Sequence, residues 1–407
     1  MRASTSTSAK DAITGLRSIE IKNASTCGAK FLHEGEVVFV VNNDRSFLSH
    51  RATWAAALLA AGANVSLIAE DTGRSAEVES LGVHFYALSL GRESVSAPRA
   101  ILNAASIFRF LVRKKPRAVF LSATTAYSLG WPAAVLLRNT RFVRIVGGVG
   151  RALSPPHSRT AKSRALQLAI RLSRRLPNMH TLFQTEADKE FFLRRRLATA
   201  ERSFVIPGTG IDPQTWKPKD RNPSSTPDTV LFASRLYREK GIFEFMEAAH
   251  LLESSHLRFL VAGEPDVGVS TTVTRDLYAA WAELPNVRLL GRRDDMHSIL
   301  QDVDLIVLPS THPEGTPRII MEAASCGVPA IVSNQPGCRA VVAHDVTGRV
   351  IDDLSPQNIA HEISRIMSNP EALSAMSSEA RRKVVREFSQ DFVLRRLLTD
   401  VLESKER

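Results

Sequence analysis

Apolar and polar positions follow two rhythms along this chain. "EVVFVVNN" from Glu36 is a short apolar run that ends in polar residues, "SHRATWAAALLAAGA" repeats its apolar residues at helical spacing, and "NVSLIAE" is apolar again. Strand, helix, strand is the implied order. It continues through "VHFYALSL", the helix-like residues 99 to 113, "RAVFLSA", "RFVRIVGG" and "MHTLFQT". Near-continuous Val, Ile and Leu runs separated by helical segments are the mark of a parallel sheet covered on both faces. One doubly wound domain is used up by about residue 205.

The segment "VIPGTGIDPQTWKPKDRNPSSTPDT", rich in Pro, Gly, Ser and Asp, reads as a linker. The same grammar then restarts. "TVLFASRL", "LRFLVAGE" and "VDLIVLPS" are strands, "GIFEFMEAAHLLES", "DMHSILQD" and "RIIMEAASCG" are helices, "VPAIVSN" and "GRVIDD" add strands, and residues 357 to 404 are largely helical. The expected fold class is α/β, with two doubly wound Rossmann-like domains facing a cleft. The expected domains are a flexible extension over 1–34, a first domain over 35–208, a second over 209–385, and a C-terminal helix over 386–407 that returns to the first domain. Ligands of open parallel sheets bind at the carboxyl ends of the strands, so chemistry is sought in the loops that follow them.

At 407 residues the chain exceeds the usual size of a single core, which agrees with two domains. The hydrophobic content of 44% allows each half to bury a core. Residues 1–34 lack the apolar run of a secretory signal. Cys27, Cys326 and Cys338 have no metal-ligand spacing and cannot all pair internally, which fits a reducing cytoplasm. The uncharged run from Ala118 to Leu137 contains Ser122, Thr124, Thr125, Ser128, Gly130 and Pro132, and reads as strand, loop and helix start, not as a membrane span.

The net charge is +11, and the cations cluster at 109–117, 159–176 and 191–197. Residues 159–176 set Ala165, Leu168, Ile170, Leu172 and Leu176 among Arg and Lys. That is the pattern either of a helix with a solvated charged face or of one that lies on anionic lipid at the inner face of the cytoplasmic membrane. A nucleic-acid partner is not expected, because aromatic residues do not interleave with the basic runs.

Candidate chemistry concentrates in the second half. "SRLYREKG" places Arg235 and Lys240 between a strand and the next helix, where two cations and helix-terminal amides can meet a diphosphate. Two basic residues in a loop are ordinarily just solvated, but "HPEGTPRIIME" follows another strand of the same domain and adds Glu314 and Glu322. Gly315 and Pro317 oppose a helix at the first glutamate and permit one from about Pro317 onward. Glu314 is therefore expected on a loop and Glu322 inside a helix, facing one ligand from different elements. A helix carboxylate can accept hydrogen bonds from the two hydroxyls of a ribose, and the loop carboxylate can meet the next group along. Gly315 and Thr316 would present amides near the phosphates, and Arg318 either aids solubility or faces phosphate.

The segments "VIPGTGIDPQTWKP", "SRLYREKGIFEFMEAA", "LVAGEPD", "RLLGRRDDMHSILQDVDLIVLPS" and "EGTPRIIMEAASCGVPAIVSNQPGC" stand in the order found in family 4 retaining glycosyltransferases of the GT-B fold (glycosyl transferases group 1), and the chain resembles that family over about residues 205 to 350. "VVFVVNNDRSFLSHRATWAAALLAAG" and "FVRIVGGVG" resemble bacterial members that extend polysaccharide or polyprenyl-linked sugars. The resemblance implies a glycosyltransferase using a UDP- or GDP-sugar as co-substrate, with no cofactor and no metal, and with a polyprenyl-linked or saccharide acceptor. It implies that Arg235 and Lys240 bind and stabilise the leaving diphosphate, that Glu322 holds the ribose, and that Glu314 contacts the donor sugar. Gly315, Thr316 and Pro317 would shape the pocket, and Arg292 would approach the base. Asn43 and Gly148 are the acceptor-side candidates. Ala340 stands where members often carry Glu, and the strand "AVFLSATTAYSLG" lacks a His that many members show. Those departures keep an inactive membrane-associated scaffold as an alternative, and a nucleotide-sugar epimerase or phosphorylase on the same fold is another.

Overall fold

The computed structural model describes residues 35–90, 97–122, 124–148, 153, 160–219, 228–266, 271–311 and 315–402. The extension over 1–34 with its Cys27, and Glu314, lie outside the described residues. The chain divides into two compact units, Met1–Gly210 with Gln390–Arg407, and Ile211–Ser389.

The first unit runs β1 (Glu36–Asn43), α1 (Asp44–His50), α2 (Ala52–Ala60), β2 (Asn64–Glu70), α3 (Ser75–Ser80), β3 (His84–Ala87), α4 (Ala97–Lys114), β4 (Ala118–Ser122), α5 (Thr124–Leu136), β5 (Arg141–Val146), α6 (Ala161–Ser173), β6 (Met179–Phe183), α7 (Glu186–Arg194) and β7 (Ser203–Val205). Its sheet is parallel, in the order β3-β2-β1-β4-β5-β6-β7. Successive strand residues point to opposite faces, and both faces are covered, so the central strands β1 and β4 are apolar along most of their length. Phe39 and Phe120 stack at 4.9 Å on one face beside Phe47 and Trp54, while Val38, Val40, Leu121 and Phe142 fill the other. The run from Ala118 to Leu137 resolves into β4 and α5, and no described helix is long and apolar enough to cross a membrane.

The second unit runs β8 (Thr229–Ala233), α8 (Ile242–Leu251), β9 (Arg258–Ala262), α9 (Arg275–Trp281), β10 (Val287–Gly291), α10 (Met296–Gln301), β11 (Leu305–Leu308), α11 (Arg318–Ser325), β12 (Ala330–Ser333), α12 (Pro336–Val341), β13 (Gly348–Ile351), α13 (Pro356–Met367) and α14 (Pro370–Phe388). Its sheet, again parallel, has the order β10-β9-β8-β11-β12-β13. Cys326 and Cys338 are buried in its core. The strand reading passed over the edge strands β7, which is three residues long, and β10, which is only partly buried. After α14 the chain forms α15 (Gln390–Arg396) and a final turn to Leu402. Val393, Leu397 and Val401 from this segment join the Phe39 core of the first unit.

In each sheet the strand order reverses once, between β1 and β4 and between β8 and β11. At such a reversal the following loops diverge to opposite faces and leave a crevice at the carboxyl ends of the strands.

Candidate functional site

In the second unit the reversal lies between β8 and β11, and the candidate cations follow β8. Arg235 is exposed. Its guanidinium lies 4.7 Å from the centre of the Tyr237 ring, and Nη1 donates to the Tyr237 hydroxyl at 3.3 Å. The Tyr237 hydroxyl donates in turn to Asp266, which follows β9. Burial raises the Tyr237 phenol above its ordinary value and the Asp266 hydrogen bond adds to this, so the hydroxyl stays protonated and can hold Arg235 in place. Lys240 ends the single turn Arg238–Lys240 and is half-buried.

This turn is fixed to the end of β11. Gly241 has φ +77°, and a Cβ there would stand 2.3 Å from the Pro309 carbonyl oxygen. Only glycine permits both the left-handed backbone and the approach. Next to it, the Glu239 carbonyl accepts from the Thr311 amide at 3.0 Å and from the Ser310 hydroxyl at 3.0 Å. The loop that carries Lys240 is thereby drawn against the chain that leads into the Gly-Thr-Pro turn.

Gly315 is half-buried, Thr316 and Pro317 are buried, and Pro317 caps α11, whose first residue is Arg318. Proline suits this position because its missing N–H would have no partner inside the helix. One turn later Glu322 is only 7% exposed. Its Oε1 accepts from Arg318 Nε at 2.7 Å. Burial raises the Glu322 carboxyl above the usual range and Arg318 opposes the shift. Among the described residues, Arg318 is the hydrogen-bond partner of this carboxylate.

The contacts above thus join the Lys240 turn to the segment entering α11, and they join Arg235 to the loop after β9. Arg292 is not brought into this group. It is exposed beyond edge strand β10, where Gly291 bridges to Gly263. Its neighbour Arg293 is held by Asp295, with Nε donating to Oδ1 at 2.7 Å. In the first unit, Asn43 closes β1 and caps α1, its Oδ1 accepting from the Ser46 amide at 2.8 Å. Gly148, with φ +116°, stands just past β5. Ala340 lies in α12. Tyr237 and Asp266 were not singled out in the sequence, although both stand in segments quoted there. The i,i+4 spacing of Arg318 and Glu322 was visible, but the burial that makes their pairing necessary was not. A groove of about 510 Å³ between α8 and α9, lined by Phe243, Met246, Leu277 and Trp281 among others, is built from helix residues and not from loops that follow strands.

A family model for glycosyl transferases group 1 matches residues 214–383, and a glycosyl transferase 4-like model matches residues 36–177. Both are models of glycosyltransferases, and between them they match most of the chain. Its two Rossmann-like sheets are the GT-B architecture of these enzymes. It is 24% identical over 344 residues to the UDP-Gal:alpha-D-GlcNAc-diphosphoundecaprenol alpha-1,3-galactosyltransferase of Escherichia coli, covering 80% of this chain and 85% of that one. It is 25% identical to the N,N'-diacetylbacillosaminyl-diphospho-undecaprenol alpha-1,3-N-acetylgalactosaminyltransferase of Campylobacter jejuni, covering 53% of this chain and 58% of that one. Anabaena Alr3699/HepE in complex with UDP and glucose has a similar fold, with a TM-score of 0.72 at 18% identity over 91% of this chain and 100% of that one.

Replacing Gly241 with Ala tests the contact that holds the site loops together. Gly73 also has a left-handed φ, +94°, but its Cβ position meets nothing within 4 Å. Gly73→Ala adds backbone strain of about 1 kcal/mol. Gly241→Ala adds the clash with Pro309 as well, and should lower unfolding stability by at least ~1 kcal/mol more in denaturant titration. Equal losses in the two variants would show that the approach to Pro309 constrains nothing.

Proposed function

We propose that this glycosyltransferase moves a sugar, with retention of anomeric configuration, from a nucleotide-diphosphate donor to a polyprenyl-diphosphate-linked saccharide in surface polysaccharide assembly. The observation that carries the donor half is the joining of the Lys240 turn to the segment entering α11 at the strand reversal. Arg235 and Lys240 are the cations for the diphosphate. As the bond from the anomeric carbon to the diphosphate oxygen breaks, negative charge grows on that oxygen, and fixed cations lower the cost of this step. The acceptor hydroxyl forms the new bond, and its proton passes to the leaving diphosphate. Glu322 is the ribose ligand: a buried carboxylate with one oxygen on Arg318 gains from two further hydroxyl donors. Glu314 is assigned to the donor sugar, and Gly315 to Pro317 to the pocket wall. Arg292 is assigned to the base, with Asn43 and Gly148 on the acceptor side. UDP is favoured over GDP as the leaving nucleotide by the UDP complex of the similarly folded Alr3699/HepE and by the UDP-Gal donor in the name of the Escherichia coli relative. The acceptor class rests on the diphosphoundecaprenol substrates named for the two relatives.

The same reading places the enzyme on the inner face of the cytoplasmic membrane, with the helix in 159–176 as a docking element. In α6, Leu166 and Ile170 point into the core, while Leu168 (57% exposed) and Leu172 (45%) face outward among exposed Arg164, Arg171 and Arg175. Ile170 therefore leaves the apolar set read from the sequence. Helix α5 packs against α4 and α6 and exposes Val135 and Leu136. Residues 94–185 contain no Asp or Glu and 16 Lys and Arg, a charge balance complementary to anionic lipid.

Two measurements follow. UDP should raise the melting temperature of the wild type, and Lys240→Ala and Glu322→Ala should each weaken nucleotide affinity about tenfold or more. Absence of a shift with every nucleoside diphosphate would refute the donor assignment. Flotation with anionic liposomes should be salt-sensitive and lost in the Arg164→Glu, Arg171→Glu, Arg175→Glu triple variant. Unchanged flotation of that variant would remove α6 as the docking element.

A further inference from the structure

In the second unit, a closed set of hydrogen bonds stands beside Arg235. Residues 236–238, after β8, run antiparallel to residues 271–273, before α9. The Arg238 amide donates to the Thr271 carbonyl at 2.9 Å, the Val273 amide donates to the Leu236 carbonyl at 3.0 Å, and Tyr237 bridges Thr272. Leu236 and Val273 are buried in the core, which anchors both segments. The Thr272 hydroxyl donates to the Leu236 carbonyl at 3.1 Å and accepts from the Asp266 amide at 2.9 Å. The Asp266 carboxylate accepts from the Tyr237 hydroxyl. Asp266 is thus tied to the segment of Tyr237 through both its main chain and its side chain.

Arg235 meets this set at the phenol. It is exposed, and an exposed arginine is free among many rotamers unless something holds it. Tyr237 holds it twice, by its ring, 4.7 Å from the guanidinium, and by its hydroxyl, 3.3 Å from Nη1. Among the described residues, no carboxylate forms an ion pair with Arg235. The difference matters for a cation that is to meet a diphosphate. A carboxylate partner would fix the guanidinium but offset its charge, whereas a neutral phenol fixes it and leaves the charge for a ligand. A phenol has one hydrogen to donate and lone pairs to accept with. Because that hydrogen is committed to Asp266, a lone pair is left to face the Arg235 donor. The acid therefore directs the cation from one group away.

We infer that Tyr237 and Asp266 are positioning residues for Arg235: Asp266 orients the Tyr237 hydroxyl, and the hydroxyl holds the guanidinium, unneutralised, for the diphosphate of the donor. The inference rests on the reading of Arg235 as a diphosphate ligand. Both residues act through Arg235.

Affinities of the full chain for UDP and for uridine, which carries no phosphate, test this by calorimetry and ligand-observed NMR. Tyr237→Phe keeps the ring and removes the hydroxyl. It should weaken UDP binding about fivefold and leave uridine binding unchanged. Asp266→Ala should match it, while Asp266→Asn, which keeps an oxygen acceptor, should stay within about twofold of the wild type. Arg235→Ala should weaken UDP binding about tenfold, and adding Tyr237→Phe to it should cost nothing more, because the two lie on one chain of contacts. The inference is overturned if Tyr237→Phe binds UDP as the wild type does, or if its loss persists in full without Arg235. A parallel loss of uridine binding in Tyr237→Phe and Asp266→Ala overturns it as well, since the effect would then be general damage to the fold. If Arg235→Ala itself binds UDP like the wild type, the diphosphate assignment of Arg235 falls. A loss in Arg235→Ala with none in Tyr237→Phe or Asp266→Ala removes the positioning role alone.

Discussion

The approach of Gly241 to the Pro309 carbonyl is the constraint on which the proposed donor site depends. It is made at the strand reversal of the second sheet, where parallel topology sends the loops after β8 and β11 toward opposite faces. Two hydrogen bonds to Glu239 continue the contact. A side chain at Gly241 would part the loop carrying Lys240 from the segment entering α11. That segment leads to the buried Glu322, so a single backbone contact relates a cation-bearing loop to a carboxylate far away in sequence.

Much of this was legible in the sequence because it depends on local rules. The start of α11 follows from Gly315 and Pro317, and Glu322 falls inside the helix as the spacing requires. The cations after β8 could be read because a strand, a basic loop and a helix follow one another directly. What escaped depends on tertiary burial. Nothing in the string "RIIME" says that Glu322 is desolvated and needs Arg318, and Tyr237 and Asp266 meet only when the loops after β8 and β9 converge. The basic helix was read as a single amphipathic set, but the packing of α6 divides it, sending Ile170 inward and leaving Leu168 and Leu172 outside. The burial of Arg51 and Arg144 gave no signal, because an arginine in a strand or between helices is ordinarily exposed.

The two units treat buried charge differently. In the second, Arg349 donates to both oxygens of buried Glu362 at 2.8 and 3.0 Å, and Arg318 meets Glu322, so each buried acid is compensated within the chain. In the first, among the described residues, Arg51 Nε and the Nε and Nη1 of Arg144 are buried without a hydrogen-bond partner.

In the proposed reaction the anomeric configuration is retained and protein cations meet the charge on the leaving diphosphate. NMR determination of the anomeric configuration of product formed from an α-linked UDP-sugar, with EDTA present and a polyprenyl-diphosphate-linked saccharide as acceptor, tests it most directly. The expected product is α-linked and forms at an undiminished rate. A β-linked product, or transfer abolished by EDTA and restored by a divalent cation, would contradict it.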